Sequence, residues 1–305
     1  MNEVLIEWLS EKKKSIQVVC SSYGKVSLFA SLIVLIFVIS FCVITNLLPK
    51  QLKISFLDVG QGDAILIQTP GGHDMLIDGG PNDVVLEKVS DELSYFDRHI
   101  DVVLNTHPDA DHSTGLIAVL KRYEVGHVIV SPVCGHTGIF EELTKSIKEE
   151  NAIFHVGKKG DEIIFGDGVK VLVLYPSSPY RGGDADTNDA SVSVLVSYGK
   201  TSALLTGDLP SLYEGDLITE TLPKNITIYK AGHHGSKYSS GERLLSYLHP
   251  EYAVISAGKD NRYGHPHREV IERLQKYSKE ILQTTEKGTV TFRSDGERVR
   301  VFYEH

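Results

Sequence analysis

The sequence predicts a layered α/β architecture, and two patterns carry that expectation. Short apolar runs of strand length, closed by Gly, Asp or Asn turns, recur from Ile54 onward. Amphipathic segments of helix length are interleaved with them late in each half, so that mixed sheets acquire helical layers.

Taken in order, Ile54–Asp58 and Ala64–Gln68 read as strands around the turn Gly60-Gln61-Gly62, and Met75–Asp78 as a third strand running into Gly79-Gly80. Val102-Val103-Leu104 is a continuous apolar run, the pattern of a buried strand, and Leu116–Leu120 follows as the apolar part of a helix. Phe140–Glu150 is a second helix. The middle is rich in strands: Ile163–Phe165, Val169–Leu174, and a hairpin pairing Val192–Val196 with Ala203–Leu205 through Gly199-Lys200. Ile226–Tyr229 and Ala253–Ser256 are further strands, framed by helices at Glu242–Leu248 and Glu269–Lys279. Gly288–Phe302 reads as a closing hairpin turning at Ser294-Asp295-Gly296.

Before Pro49 the chain differs in kind. Val26–Leu48 carries no charged residue and is dense in Leu, Ile, Val and Phe, which is long enough for one membrane-spanning helix. A cleaved leader fits less well, because the charged stretch ahead is long and Asn46-Leu47-Leu48-Pro49 has no small-x-small site. The expected organisation is a cytoplasmic tail at 1–25, an anchor at 26–48 and a main domain at 52–305. Lys12, Lys13, Lys14 and Lys25 precede the apolar run while Lys50 and Lys53 follow it, a modest bias that leaves the tail inside and the domain outside the cytoplasm.

Formal net charge is −9, which weighs against a stable binder of duplex DNA but not against a nuclease whose carboxylates hold cations. Cys20, Cys42 and Cys134 form no Cys-x-x-Cys pair, so any metal must be held by His and carboxylates. The chemistry concentrates in His107-Pro108-Asp109-Ala110-Asp111-His112, directly after a buried run. Pro108 discourages helical geometry at His107, which lets such a tight loop converge nitrogen and oxygen donors on a cation such as zinc, manganese or iron. Capping by Asp111 or Ser113 explains one residue of this group, not two His and two Asp. Asp208 ends the run Ala203–Leu205, where a carboxylate must be paired or bound, although Gly207-Asp208 alone would pass for a turn. Lys230-Ala231-Gly232-His233-His234-Gly235-Ser236 ends another run. In an extended chain adjacent imidazoles point opposite ways, so that one ligates while the other faces substrate.

The ordered set Asp78-Gly79-Gly80, His107-x-Asp109-x-Asp111-His112, Thr206-Gly207-Asp208 and His233-His234-Gly235-Ser236 resembles the metallo-β-lactamase superfamily. More narrowly, Phe56-Leu57-Asp58-Val59-Gly60-Gln61-Gly62-Asp63 and Tyr263-Gly264-His265-Pro266 resemble the C-terminal hydrolase domain of ComEC-type competence proteins, over residues 52–305. The resemblance implies an αββα sandwich with a binuclear zinc or manganese site. By motif, His107 and Asp109 would hold one metal, Asp111, His112 and His233 the other, and Asp208 would bridge them. Asp109 stands where most members have His, and Thr187-Asn188-Asp189 stands where many have a later His, which makes the site harder and more favourable to manganese.

The leading expectation is metal-dependent phosphodiester hydrolysis through a metal-bound hydroxide, with single-stranded DNA as a candidate substrate. Asp58 or Asp78 would orient imidazoles. His234 or His265, with Asp111 close by, would serve the chemistry. Ser236, Lys237 and Asn188 would contact substrate. Ten Lys and Arg against six Asp and Glu between Lys224 and Glu280 favour an anionic ligand, although a solvated surface explains the same count. A hydrolase of another ester, a lactone or a small phosphorylated molecule remains open, as does a non-catalytic binding module.

Overall fold

Strands that must be buried on both faces split their alternating side chains between two different cores, and this chain does so consistently. The computed structural model describes residues 7–8, 10–15, 27, 29–40, 51–94, 96–177 and 186–305. In β1 (Leu52–Phe56), β2 (Ile65–Gln68), β3 (Asp74–Ile77) and β4 (His99–Asn105), residues such as Ile54, Ile67, Met75 and Leu104 face a central core, while Leu66, Leu76 and Val103 face an outer one. β5 (Glu124–Val130) and β6 (Ile153–Val156) extend this sheet on one side. β14 (Val290–Ser294) and β15 (Val299–Tyr303) extend it on the other, giving the order β15-β14-β1-β2-β3-β4-β5-β6.

The second sheet obeys the same rule. It consists of β7 (Glu162–Ile164), β8 (Lys170–Tyr175), β9 (Ser193–Tyr198), β10 (Thr201–Leu205), β11 (Ile228–Lys230), β12 (Tyr252–Ile255) and β13 (Glu280–Gln283), ordered β13-β12-β11-β10-β9-β8-β7. Val171, Val194, Ala203, Ile228 and Val254 meet the first sheet, and Leu195, Leu204, Tyr229 and Ile255 face outward. Helices α1 (Val84–Glu92), α2 (Ala110–Arg122) and α3 (Gly138–Glu150) cover the first outer face through Val85, Leu116, Val119 and Leu143. Helices α4 (Glu242–Leu248) and α5 (Arg268–Tyr277) cover the second through Leu244, Leu248 and Leu274, and α6 (Thr284–Lys287) is a single turn before β14. The result is an α/β fold of two sheets between helical layers.

Four elements lacked a clear sequence signal. α1 places only Val85 and Val89 in the core, so its apolar stripe is two residues wide. In β5, Gly126 and His127 interrupt the apolar run. β6 is exposed at all four positions, and β13 is short and follows α5 almost directly.

Met1–Pro49 and Lys50–His305 are two separate compact units. In the first, residues 10–15 and 29–40 are helical. Among the described residues, no helix is long and apolar enough to cross a membrane; the span expected at 26–48 lies in part outside them.

β3 and β4 run parallel in one sheet, and β10, β11 and β12 run parallel in the other. The carboxyl ends of parallel strands are where backbone leaves the sheet and side chains converge on a ligand. The loops that follow β3, β4, β10 and β11 bring the Asp and His clusters together there.

Candidate metal centre

The loop between β4 and α2 delivers the densest group. Asp109 occupies the cap position of α2 in extended geometry, yet its side chain makes no cap bond. It instead accepts a hydrogen bond from Thr187 Oγ1 and lies 3.8 Å from His107 Nε2. Two residues on, Asp111 Oδ2 is 3.3 Å from His234 Nε2, and His112 Nε2 is 3.4 Å from Asp208 Oδ1. His234 Nε2 is also 3.4 Å from Asp208 Oδ2, and His107 Nε2 lies 4.0 Å from the same atom. Among the described residues four sets of donors cluster, each within 4.8 Å: His107–His112–Asp208, Asp111–His112–His234, Asp63–Asp78–His112 and Asp63–Asp208–His234.

What fixes these imidazoles is a chain of hydrogen bonds behind them. Asp78 is fully buried, with both oxygens engaged. Oδ1 accepts from Thr106 N (2.8 Å) and Asn105 Nδ2 (3.2 Å), and Oδ2 accepts from Thr106 Oγ1 (2.6 Å). Oδ2 also lies 2.7 Å from His112 Nδ1, which donates to it because a carboxylate only accepts. Since Thr106 Oγ1 spends its proton on Asp78, it accepts from His107 Nδ1 at 3.0 Å. His234 Nδ1 donates to Ser256 O at 3.0 Å and lies 3.3 Å from Asp63 Oδ1. All three rings are thus held with Nδ1 protonated and Nε2 turned toward the carboxylates. Asp78 needs its left-handed backbone, φ 58°, to reach both partners. Gly79 lets β3 touch α2, since a Cβ there would stand 2.4 Å from Leu116 N.

The donor set fits divalent cations. His107 Nε2 and Asp208 Oδ1 are buried with no hydrogen-bond partner, an arrangement that is costly unless something else binds them. The electrostatics agree. Burial alone would raise the Asp208 carboxyl, but His234, His112 and His233 around it hold it well below the usual range. Burial would lower His112 and His234, yet Asp208, with Asp78 for the first and Asp63 for the second, pushes both well above the usual imidazole value. His107, with less compensation, is lowered to about 4 by burial and by His112. The carboxylates thus favour positive charge at these rings, and a bound cation would compete with protons for their Nε2 atoms.

The structure revises several expectations. His233 and His234 do not lie in an extended chain. Both occupy a tight turn, Gly232–Gly235, with φ of 49° and 54°. It is His234, 1% exposed, whose Nε2 joins Asp111 and His112. The His233 side chain is 30% exposed, with Nε2 3.6 Å from Asp208 Oδ2. The Asp58 carboxylate closes the Gly60 turn (3.2 Å), while Asp63 is the residue that reaches His234. Ser236 is buried, and its hydroxyl oxygen accepts from Tyr238 N at 3.4 Å. Asn188 is buried as well and spends its amide on Asp186, leaving Thr187 as the contact to Asp109. Lys237 is exposed, with Nζ 5.3 Å from the Tyr238 ring centre. The His265 ring centre lies 5.5 Å from that of His233, and burial, then His233, His234 and His267, hold it neutral with a pKa of about 4.

Asp63 and Lys230 stand in motifs that the sequence singles out, but the sequence assigns neither a role. Lys230 is wholly buried at the end of β11, with Nζ 2.5 Å from Asp63 Oδ2. Only the folded chain juxtaposes them, although Asp63 did stand in the Gly-Gln-Gly-Asp turn already singled out.

Residues 57–259 match the family model described as metallo-beta-lactamase superfamily, and the chain belongs to that superfamily. Within it, the chain is similar to proteins of the ComEC competence type. ComE operon protein 3 of Bacillus subtilis (strain 168) is 29% identical over 263 residues, which cover 81% of this chain and 33% of that protein. Recombination protein 2 of Haemophilus influenzae is 32% identical over 255 residues, 81% of this chain and 30% of that one. Competence protein ComA of Neisseria gonorrhoeae is 29% identical, covering 80% and 32%. The chain therefore matches only about a third of each of these relatives. Among solved structures, CmlA of Streptomyces venezuelae, described as a diiron β-hydroxylase, shares the fold with a TM-score of 0.51 at 16% identity, over 84% of this chain and 55% of that one.

Proposed function

We propose that the chain is a metal-dependent phosphodiesterase acting on nucleic acid. The observation that carries this reading is the convergence of three imidazole Nε2 atoms, from His107, His112 and His234, on three carboxylates, those of Asp109, Asp111 and Asp208. Such donors suit manganese or zinc, and bound cations of this kind supply Lewis acidity and an acidified water for attack on a phosphodiester. The names of the relatives, which speak of competence and recombination, favour a nucleic-acid substrate.

In this reading His107 and Asp109 would hold one cation and Asp111, His112 and His234 the other, with Asp208 within reach of both sets. Asp78 and Asp63 keep the ring protons on Nδ1. His233, the more exposed imidazole, hands a proton to the leaving oxygen. His265, kept neutral, orients substrate with its N–H. The test is a cleavage panel on the purified chain with manganese and with zinc, using single-stranded DNA, bis(p-nitrophenyl) phosphate, lactones and phosphomonoesters. Metal-dependent cutting of the diesters supports the reading. Turnover of lactones or monoesters without the diesters overturns it.

A single membrane anchor at 26–48, with the tail inside and the domain at 52–305 outside, belongs to the same proposal. It rests on the uncharged apolar run and the lysines ahead of it. Protease accessibility of the domain in intact cells checks it.

A further inference from the structure

Beside the metal centre lies a short loop that is more tightly fixed than a surface loop needs to be. It runs from Gly258 to His265 and is pinned by one side chain, Asn261. The Asn261 amide donates to Gly258 O (2.9 Å) and His265 O (2.6 Å), and its oxygen accepts from Tyr263 N (3.2 Å) and His265 N (3.0 Å). The loop is tied to the opposite sheet as well, because Gly258 N donates to Gln61 Oε1 at 3.0 Å. Four bonds from one amide exhaust its capacity. What they hold in place is an exposed pair, Arg262 and Tyr263.

Tyr263 is 48% exposed. Its ring stacks on His265 at 5.7 Å and 23°, and His265 in turn meets His233 edge-on at 5.5 Å. A continuous path of rings therefore leads from solvent to the imidazole beside Asp208. Arg262 is exposed, donates to the Tyr263 hydroxyl at 2.7 Å and places its guanidinium 4.9 Å from the ring centre. On the other side of His265, His267 is 4.9 Å away, and its Nδ1 accepts from Lys237 N at 3.2 Å. Lys237 heads a second exposed cation–tyrosine pair with Tyr238, which is 66% exposed.

Building on the phosphodiesterase reading, we infer that Arg262 and Tyr263 form a subsite for one unpaired base and its phosphate next to the scissile bond. His265 backs one face of the ring and the exposed Arg262 guanidinium lies over the ring as well, so a base stacks by displacing the guanidinium, which is then free to fork onto the phosphate. Bases inside a duplex are already stacked on one another and cannot reach such a face, so the subsite selects unpaired strands. Asn261 lowers the cost of binding by fixing the loop in advance.

The experiment uses the full chain and two readouts. Binding of a fluorescent oligothymidylate is followed by anisotropy in EDTA, which stops hydrolysis. Cleavage is followed with manganese on the same oligomer and on bis(p-nitrophenyl) phosphate, which has no base. Tyr263→Ala should weaken oligomer binding roughly 5- to 150-fold, and the ratio of kcat/KM for oligomer over that for the small diester should fall by a similar factor. Tyr263→Phe should restore both, and Asn261→Ala should move both in the direction of Tyr263→Ala. The wild-type chain should bind an abasic oligomer about as weakly as Tyr263→Ala binds the ordinary one. The inference is overturned if Tyr263→Ala leaves binding and the ratio unchanged, or if abasic or fully duplex DNA binds as tightly as the single strand. A wild-type chain that cuts no diester overturns the phosphodiesterase reading instead, while the binding arm still decides the subsite.

Discussion

Asp78 Oδ2 lies 2.7 Å from His112 Nδ1 and, through the Thr106 hydroxyl, also governs His107. One buried carboxylate therefore sets the ring orientation of two candidate ligands. Asp78→Asn keeps the shape but removes the charge and places an amide donor opposite a ring N–H. The expected outcome is a 10- to 100-fold loss of metal affinity, on the order typical of partners that orient ligating imidazoles. Calorimetric titration of the metal-free protein with zinc and with manganese checks this.

The two adjacent histidines make opposite predictions. His234→Ala should lower the metal content of the purified protein, because its Nε2 is grouped with Asp111 and His112. His233→Ala should keep the metal content and lose turnover, since its ring is the more exposed of the two. Elemental analysis beside kinetics separates the roles, and equal metal loss in both variants would refute the division.

Metal binding should release protons. Asp208 and its neighbours push His112 and His234 well above the ordinary imidazole value despite burial, so a cation competes with protons for their Nε2 atoms. Apparent affinity should therefore rise with pH across the neutral range. Titrations in buffers of different ionisation enthalpy give the number of protons directly.

Lys230 and Asp63 form an ion pair with both side chains buried, 0% and 1% exposed. Removing one partner strands the other charge out of water, so Lys230→Met should cost about 3–5 kcal/mol of stability. Adding Asp63→Asn should recover part of that loss, and urea denaturation of the single and double variants measures the coupling. Full additivity would mean that the pair contributes nothing jointly.

Glu214 supplies a pH dependence remote from the metal. Burial raises its carboxyl to about 7, although Ser240 N and Gly241 N donate to it and Arg273 is near. A raised folded-state value means that the protein holds this proton where the unfolded chain has lost it. The associated stability is complete below the unfolded value, near 4.5, and is lost as pH rises through about 7. The loss is roughly 3 kcal/mol at most. Glu214→Gln should flatten that part of the profile, seen as the difference between urea midpoints at pH 5 and pH 8.

Much of the centre was legible because its donors are neighbours in the chain. His107 to His112 follow a buried strand, and Asp208 and His233-His234 each end one, so residue type and strand position pointed to a ligand site together. The choice between His233 and His234 was not legible, because left-handed backbone at both residues replaces the extended geometry that alternation assumes. Such strain, of order 1–3 kcal/mol per residue, is typical of sites that the surrounding fold over-determines. The roles of Asp63 and Lys230 were invisible for a different reason, since their meaning lies in a contact between distant segments. The strands β5, β6 and β13 left little trace because they are interrupted, exposed or short, and pairing with neighbours is what makes them strands.

His107, Asp109, Asp111 and His112 leave the end of β4, whereas Asp208 and His234 leave β10 and β11, so each sheet contributes one jaw of the centre. The two sheets touch through side chains such as Ile67, Val194 and Ile228. The bite of the jaws is therefore set by the thickness of the packing between them. A methyl group removed deep in that layer, far from any donor atom, as in Ile67→Val, should alter the gap and shift metal affinity in a calorimetric titration.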